Sequence, residues 1–532
     1  MSQQPIPVGT RSQLLVDDYL IAASEGLATT LHPMMKHPAP VLQAEAPWER
    51  PEVGGLYGVP HALYDADDGL FKLWYRSMGT FPFRNQQKEP TYHCYATSTD
   101  GLNWERPHLG LFEFEGSTAN NIFSAEGQAP NANLLDCLEM SGLEPPERRY
   151  KTSIFLGRDA KGYGSHGVSF SADGFHWQPY ESNPVIGGYD RADMCNCAKL
   201  RDTAFPEHLP GVPDAKYALF PKVHIQLGRF RRRCFAMCLS EDDFGGNPFT
   251  QWSEPHLALA PDLRDDEMAE ERLATAKPIL LRDHPDDHHC EFYGVVVFRS
   301  GDVFLGLVWI IDVAFELSRI GGSNQYALVD VQLVSSRDLL HWERLGGRQP
   351  VIARGAPDAF DSHMIFYHSF PIAVGDEWWV YYAGFNEGHA AQWLYDEPMR
   401  RQYQEDVKAG RRHFQKFGLA KVRREGYLSR DAGTAGGTLT TKLLQPGGPR
   451  LEVNATVAEG GALTVEVRDD QGHALPGFAS ADCTPVTGDS LRHAVQWGNL
   501  RGDDSWPDRP VRLQFHLRDA ALYGFRFAEG AG

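Results

Sequence analysis

Short apolar runs separated by turn residues recur along most of the chain. In the first unit, the runs 57–64, 71–76 and 93–97 are separated by polar, glycine-containing turns such as DADDG at 65–69. Runs with such boundaries are typical of β-strands. Further units with the same order begin near residues 133, 194, 291 and 362. Five units of three or four strands predict a five-bladed β-propeller, in which the first strand of each unit lines a central axis.

A short motif marks the third run in four of these units. It has a Ser, an Asp two residues later and a Trp after a short interval, and the copies are Ser98-Asp100-Gly101-Trp104, Ser171-Asp173-Gly174-Trp177, Ser240-Asp242-Trp252 and Ser336-Asp338-Trp342. An Asp-Gly pair between strands predicts a hairpin turn, because glycine tolerates positive φ and aspartate accepts hydrogen bonds from its own backbone. We expect the Trp ring to lie over the hairpin.

The pattern changes after residue 433. The sequence GTAGG at 433–437 is typical of a linker, and apolar and polar residues then alternate in short steps, as in 451–455 and 463–467. Short alternating strands with frequent turns predict a β-sandwich. We therefore predict an all-β chain with a five-bladed β-propeller at residues 1–432, followed by a C-terminal β-sandwich at residues 433–532.

Three segments lie outside the repeat. Residues 14–21 (LLVDDYLI) form a strand-like run, and we expect this run to pair as the outer strand of the last blade and close the ring, which removes an exposed sheet edge. Residues 255–287 include an acidic, helix-like piece, and residues 386–416 carry aromatic and basic side chains. Each of these two insertions is either a solvated helix or the rim of a site.

Composition narrows the class of protein. No stretch of the 532 residues is apolar for the length of a membrane span, and the first residues lack the pattern of a secretory signal. The 8 Cys have no regular spacing, which favours free thiols in a reducing cytoplasm. A net charge of −19 argues against a nucleic-acid partner and suits a neutral ligand. We predict a cytoplasmic protein without a membrane partner, cofactor or metal; the sequence does not indicate its oligomeric state.

Polar residues recur at the same end of each expected inner strand. Since buried charge is costly without a partner or a purpose, their convergence on one axial funnel predicts a functional site. Carboxylates at such a site suit glycoside chemistry, in which one carboxyl group is protonated and another is ionised. The candidate catalytic residues are Asp193, Glu291 and Asp361.

Each carboxylate has an expected role and a structural alternative. Glu291 lies between Cys290 and Phe292, an apolar setting that predicts a raised pKa and the role of acid. Asp193 and Asp361 are the candidate nucleophile or base and its orienting partner. Alternatively, any of these carboxylates caps a strand end or pairs with a neighbouring Arg or His.

Other polar and aromatic residues are candidates for substrate binding. Four residues are proposed either to bind substrate hydroxyl groups or to support the side chains that bind them. They are His61, Asn196, His289 and His363. Trp48 is a candidate for stacking on a sugar face. For each of these residues, a purely structural role is the alternative.

Several stretches resemble a known group of proteins. Residues 15–21 (LVDDYLI), 96–105 (ATSTDGLNWE), 120–122 (NNI) and 418–420 (GLA), with 439–442 (LTTK) and 476–478 (PGF), are similar to bacterial family-32-like glycosyl hydrolases. The propeller with a sandwich resembles glycoside hydrolase family 32, and the propeller alone resembles families 43 and 68. The family-32 catalytic motifs WMNDP, RDP and EC are absent, so no catalytic residue is carried over by motif.

The resemblance and the carboxylates together favour one function over two alternatives. The leading hypothesis is a glycoside hydrolase that cleaves or transfers glycosyl units of small saccharides or glycosides with paired carboxylates in the axial funnel. One alternative is a non-catalytic carbohydrate-binding propeller. The other is a metal-dependent hydrolase or lyase that uses His288, His289 and His363.

Overall fold

The chain is built almost entirely of β-strands. A computed structural model describes residues 4–50, 55–78, 90–125, 134–136, 145–190, 195–200, 215–240, 249–498 and 509–529. The candidate residue Asp193 and the motif residue Asp242 lie outside these ranges.

The first three sheets, I to III, follow one another along the chain. Neighbouring strands in each are antiparallel. Sheet I contains Gly55–Asp65, Leu70–Met78, Tyr92–Ser98 and Ile122–Ala125; sheet II contains Leu134–Asp136, Tyr150–Arg158, Tyr163–Ser171, Gln178–Pro179 and Ile186–Asp190; sheet III contains Cys195–Lys199, Tyr217–Leu227, Phe230–Leu239 and His256–Leu259.

Sheets IV and V are joined by one parallel pairing, between Val329 and Met364. The strands His289–Ser300 and Val303–Glu316 of sheet IV are mostly apolar and are buried at nearly every position, as expected for a sheet covered on both sides. Sheet IV contains His289–Ser300, Val303–Glu316, Gln325–Ser336, Glu343–Arg344 and Pro350–Ile352; sheet V contains Met364–Phe366, Ile372–Val374, Glu377–Phe385, Lys416–Arg423 and the N-terminal strand Met35–Lys36.

The five sheets contact one another in a closed order, and sheet V contacts sheet I. A hydrogen bond crosses each of four boundaries between sheets. Trp74 Nε1 donates to Gly174 O at 3.0 Å (I to II), and Ser153 Oγ donates to Cys195 O at 2.7 Å (II to III). Asn196 Nδ2 donates to Val295 O (III to IV), and Ser369 Oγ donates to Pro60 O at 2.8 Å (V to I). The prediction of an all-β chain with a five-bladed propeller followed by a β-sandwich is confirmed.

The Ser-Asp motif forms a tight turn in each of its three fully described copies. In the first copy, Asp100 Oδ1 accepts hydrogen bonds of 2.8 Å from two following backbone N–H groups. Gly101 and Gly174 have φ of 72° and 81°, and Leu339 adopts the same conformation in the last copy, with φ of 66°. Trp177 Nε1 and Trp342 Nε1 donate to the carbonyl of that turn residue, at 3.0 and 2.9 Å. The motif is therefore structural.

The C-terminal sheet takes strands from both ends of the chain. Its two longest strands pair antiparallel, and alternate side chains such as Val453, Val465 and Phe515 form one buried core. Its strands are Gln13–Leu14, Ile21–Glu25, Ala28–Leu31, Leu428–Ala432, Gly437–Thr441, Arg450–Arg468, Gly488–Ala494 and Arg512–Ala528, and a parallel pair of Ile6–Gly9 with Leu444–Pro446 packs against the same core. Strands from before residue 433 thus belong to this sheet.

The expectation that residues 14–21 close the ring is wrong. Leu14 pairs with Gly524 and Ile21 with Thr441, both in the C-terminal sheet. The physical reason is that both faces of this segment are apolar: Leu14 and Val16 pack in the propeller core, whereas Leu15 and Leu20 pack in the C-terminal core. The outer strand of sheet V is instead Met35–Lys36, which pairs with residues 420 and 421.

Two α-helices occur in the described ranges, one in each insertion. Helix α1 (Leu263–Ala276) begins after Asp262, whose side chain accepts a hydrogen bond from the N–H of Asp265. Helix α2 (Glu397–Lys408) begins after Asp396 in the same way. Neither helix has the length and apolar character that crossing a membrane requires.

Candidate active site

A cavity of about 430 Å³ lies where sheets I, IV and V meet. Inner and neighbouring strands contribute Tyr57, Arg76, Tyr293 and Phe366 to its wall. Insertion 386–416 contributes the polar side chains of Glu387, His389, Tyr395 and Tyr403, among others. This insertion was expected to be either a solvated helix or the rim of a site. The structure shows that part of it borders a cavity.

One wall of the cavity is a stack of aromatic rings. The Trp309 ring stacks on both Phe366 and His368, with centroids 4.7 Å from each. Tyr293 stacks on Phe366 at 5.5 Å. A side chain at position 294 would overlap Trp309, so glycine at this position lets the indole lie flat against the strand. This wall is largely apolar, with the His368 imidazole as a polar ring within the stack.

Glu387 is a buried carboxyl group in this wall, with 7% of the residue exposed. The Tyr395 hydroxyl donates to its Oε2, and Arg412 donates to its Oε1. Burial raises the pKa of Glu387, and the opposing effects of Arg412 and Tyr395 do not cancel the increase. This environment favours the protonated carboxyl group.

His389 is a neutral imidazole beside Tyr293. Burial, with the nearby Arg233 guanidinium, lowers its pKa to about 4. His389 Nδ1 lies 2.8 Å from the carbonyl of Gln325, and Nε2 lies 3.2 Å from the Tyr293 hydroxyl. The neutral ring therefore donates from Nδ1 and accepts the hydroxyl proton at Nε2.

Glu291 lies in an ion-paired cluster behind Tyr293. Its Oε2 is 2.6 Å from Arg233 Nη1 and its Oε1 is 2.9 Å from His289 Nε2. Burial alone would raise the pKa of Glu291, but Arg233 and His289 lower it to about 2. The expected raised pKa of Glu291 is wrong. Cys290 and Phe292 precede and follow Glu291 on a strand, so their side chains point to the opposite face. Arg233 and His289 face the carboxylate instead.

The Glu291 cluster touches the cavity through other side chains. Glu291 is fully buried and does not line the cavity. The Arg233 guanidinium lies over the Tyr293 ring at 5.2 Å and donates to Asn324 Oδ1 at 3.2 Å. Because Tyr293 and Asn324 both line the cavity, Glu291 positions part of its wall.

Asp361 lies in a different cluster. Its Oδ2 accepts hydrogen bonds from Lys36 Nζ at 2.7 Å and from the Tyr382 hydroxyl at 2.9 Å. It is buried and, like Glu291, does not line the cavity. The structure therefore does not bring Glu291 and Asp361 face to face across this cavity, and their catalytic roles stay predictions.

The predicted binding residues are distributed over several places. His61 lies next to the cavity, with its ring 5.7 Å from that of the lining residue His368. Asn196 joins sheets III and IV through the carbonyl of Val295, and His289 pairs with Glu291.

His363 and Trp48 have partners of their own. His363 lies 2.9 Å from Ser362 Oγ and 3.1 Å from the carbonyl of Ile279. Trp48 donates to Asn121 Oδ1 at 2.7 Å. Neither side chain lines the cavity.

One cluster in the described ranges has the donor set of a metal site. Atoms of His289, Glu291 and Glu316 lie within 4.8 Å of one another. His289 Nδ1 lies 2.7 Å from the carbonyl of Asp287, which directs Nε2 at the carboxylates. Arg233 already neutralises Glu291 in this cluster. His288 pairs with Asp283 instead, so the histidine cluster expected from sequence does not form.

The acid, the histidine and the phenols of the cavity that sequence analysis missed belong to insertion 386–416. Glu387, His389 and Tyr395 lie between the end of a strand and helix α2, outside the repeat that directed attention to the inner strands. The available signal was the insertion's concentration of aromatic and basic side chains.

The chain is similar in shape to solved structures of several sugar-active proteins. No protein-family model and no curated protein matches it. The solved structures include a β-1,2-mannobiose phosphorylase from Listeria innocua in complex with β-1,2-mannobiose (11% identity, TM-score 0.41, covering 74% of this chain and 98% of that chain). A glycoside hydrolase family 32 β-fructofuranosidase variant from Bombyx mori in complex with sucrose has 11% identity and a TM-score of 0.39, covering 93% and 95%.

A third solved structure is that of an enzyme named for a different reaction. It is an N-acetylgalactosamine deacetylase from F. plautii in complex with a blood group B trisaccharide, with 13% identity and a TM-score of 0.32, covering 80% and 96%. At these identities and scores, no residue role is transferred to this chain.

Proposed function

We propose that the protein is a carbohydrate-active enzyme that cleaves or transfers glycosyl units of small saccharides or glycosides in the cavity between sheets I, IV and V. The observation that carries the proposal is the cavity wall itself. Stacked rings around Trp309 supply an apolar face, and Arg76 and Asn324 supply polar groups in the same lining. A sugar presents the same combination of an apolar face and a polar rim.

The carboxylates predicted from sequence have different places in this proposal. Glu291 does not touch the cavity, and its lowered pKa is opposite to what a proton donor needs. We therefore assign Glu291 a positioning role through Arg233 and Tyr293. Asp193 is retained as the proposed ionised carboxylate, the nucleophile or base, and Asp361 as a proposed orienting group.

A glycoside panel with a cavity-blocking variant tests the proposal. The purified protein is incubated with 4-nitrophenyl glycosides and unactivated disaccharides, and products are followed by chromatography. Gln392→Trp adds bulk to the cavity wall, and Gln402→Trp on the exposed side of helix α2 is its matched control. We expect turnover that Gln392→Trp abolishes and Gln402→Trp preserves.

Two other outcomes would contradict the proposal. Calorimetric binding of a sugar without any product after long incubation would favour a non-catalytic carbohydrate-binding propeller. Turnover that is equal in Gln392→Trp and Gln402→Trp would place the reaction outside this cavity.

A metal-dependent hydrolase is the second candidate, favoured by the cluster of His289, Glu291 and Glu316. Elemental analysis of protein purified without an affinity tag tests it. A stoichiometric divalent metal that is lost in Glu316→Gln and retained in Glu343→Gln would support this candidate. Protein with no bound metal after incubation with zinc or manganese would exclude a metal at this cluster.

A further inference from the structure

Glu387 combines the features of a proton donor in a cavity that Glu291 and Asp361 do not line. It follows the strand Glu377–Phe385 by two residues and lines the cavity directly. We propose that Glu387 is the catalytic residue that protonates the leaving oxygen during glycosidic bond cleavage. This inference rests on the proposed function and adds to it the identity of the acid.

The contacts of Glu387 leave room for a proton. Each carboxyl oxygen has two acceptor positions, and Tyr395 and Arg412 use one position on each oxygen. One position on each oxygen thus remains for a proton or for a substrate oxygen. The two donors also fix the plane of the carboxyl group within the wall.

The charges around Glu387 explain why burial dominates its pKa. Arg412 is the cation that faces it, but the Arg412 side chain is 39% exposed and also lies 3.9 Å from Asp406. Solvent and Asp406 therefore weaken the effect of Arg412. Tyr395 and Tyr403 face the same pocket, and burial raises the pKa of both phenols, so they add no negative charge. Glu387 is consequently protonated at a higher pH than an ordinary glutamate.

The proposed step is balanced with water as the second reactant. As the bond from the anomeric carbon to the leaving oxygen breaks, its electron pair stays on that oxygen, which takes the proton of Glu387. The resulting carboxylate is stabilised by the donors already in place, Tyr395 and Arg412. Water supplies the new oxygen on the anomeric carbon, directly or after a covalent intermediate, and its released proton restores Glu387.

Leaving-group dependence tests this role. A 4-nitrophenolate departs without protonation, whereas a sugar alcohol does not. Glu387→Gln should therefore lower turnover of unactivated disaccharides by about 10²–10⁴-fold and that of 4-nitrophenyl glycosides by less than about tenfold. Glu397→Gln, an exposed position on helix α2, is the matched control and should leave both rates unchanged. Equal losses on both substrates, or no loss on either, would overturn the assignment.

The pH profile supplies a second readout. Turnover of the natural protein should fall at high pH as Glu387 loses its proton, and this alkaline limb should be absent in Glu387→Gln. Tyr395→Phe removes a donor to the ionised carboxylate and should move the limb to higher pH. An unmoved limb in Tyr395→Phe would also overturn the assignment. If the unmodified protein cleaves no glycoside, the proposed function itself fails, which distinguishes the two results.

Discussion

The indole N–H of Trp74 in sheet I donates a 3.0 Å hydrogen bond to the carbonyl of Gly174 in the Ser-Asp turn of sheet II. A Cβ at position 174 would lie 2.7 Å from the Trp74 ring. The corresponding turn of sheet I contacts sheet V, where the Tyr381 hydroxyl donates to the carbonyl of Gly101 at 2.7 Å. The motif therefore joins neighbouring blades as well as closing its own hairpin.

Gly174→Ala should destabilise the propeller. The positive φ costs a non-glycine residue about 1–2 kcal/mol, and the overlap with Trp74 adds about 1–3 kcal/mol. Gly69→Ala is the control, because Gly69 also has positive φ but no neighbour within 4 Å of the added Cβ. Denaturant unfolding should show the larger loss for Gly174→Ala. Equal losses would mean that the contact with Trp74 contributes nothing.

The salt bridge between Lys36 and Asp361 should stabilise ring closure. Lys36 lies on the outer strand of sheet V, and its ammonium group neutralises a buried carboxylate at 2.7 Å. Lys36→Met should therefore lower the free energy of unfolding by about 1–3 kcal/mol, while Lys277→Met at an exposed site should have little effect. A double-mutant cycle with Asp361→Asn measures the coupling, and a coupling energy near zero would contradict this role.

The repeat made most of the fold predictable. Strands such as 71–76 and 93–97 are predictable because their boundaries carry Asp and Gly, and each of the three fully described Ser-Asp motifs forms a turn, even where Leu339 replaces glycine. The place of residues 14–21 could not be predicted, since a run with two apolar faces fits either a blade edge or a boundary between two cores. Tertiary packing decided between them.

The site was less predictable than the fold. The sequence points to His61 and Glu291 because polar residues on inner strands are unusual, and both are buried, His61 beside the lining residue His368. The sign of the pKa shift at Glu291 depends on Arg233, which is 58 residues away in sequence. The pKa of Glu387 similarly depends on Tyr395 and Arg412. The fold of insertion 386–416 brings these two side chains to the carboxyl group.

Glu291 should make stability depend on acid pH. Its pKa in the folded protein is about 2, below the ordinary 4.5, so its stabilising effect is complete above pH 4.5 and is lost as pH falls from there towards 2. At neutral pH, Glu291→Gln should lower the free energy of unfolding by about 3 kcal/mol, and the difference from the natural protein should shrink in that acid range. Urea unfolding of both proteins from neutral pH to about pH 3 measures it. A difference that is constant with pH would show that Arg233 does not stabilise the ionised form.

Glu387 should make the stability of the protein depend on pH in the opposite direction to Glu291. Its raised pKa means that the folded state holds the proton more tightly than the unfolded state, so unfolding releases a proton. Stability of the natural protein should therefore fall, relative to Glu387→Gln, as pH rises above the ordinary glutamate value of 4.5 and until the folded pKa is passed. Glu397→Gln controls for the loss of an exposed carboxylate. If Glu387→Gln instead became less stable relative to the natural protein as pH rose, Arg412 would outweigh burial and the carboxyl group would be ionised in the cavity.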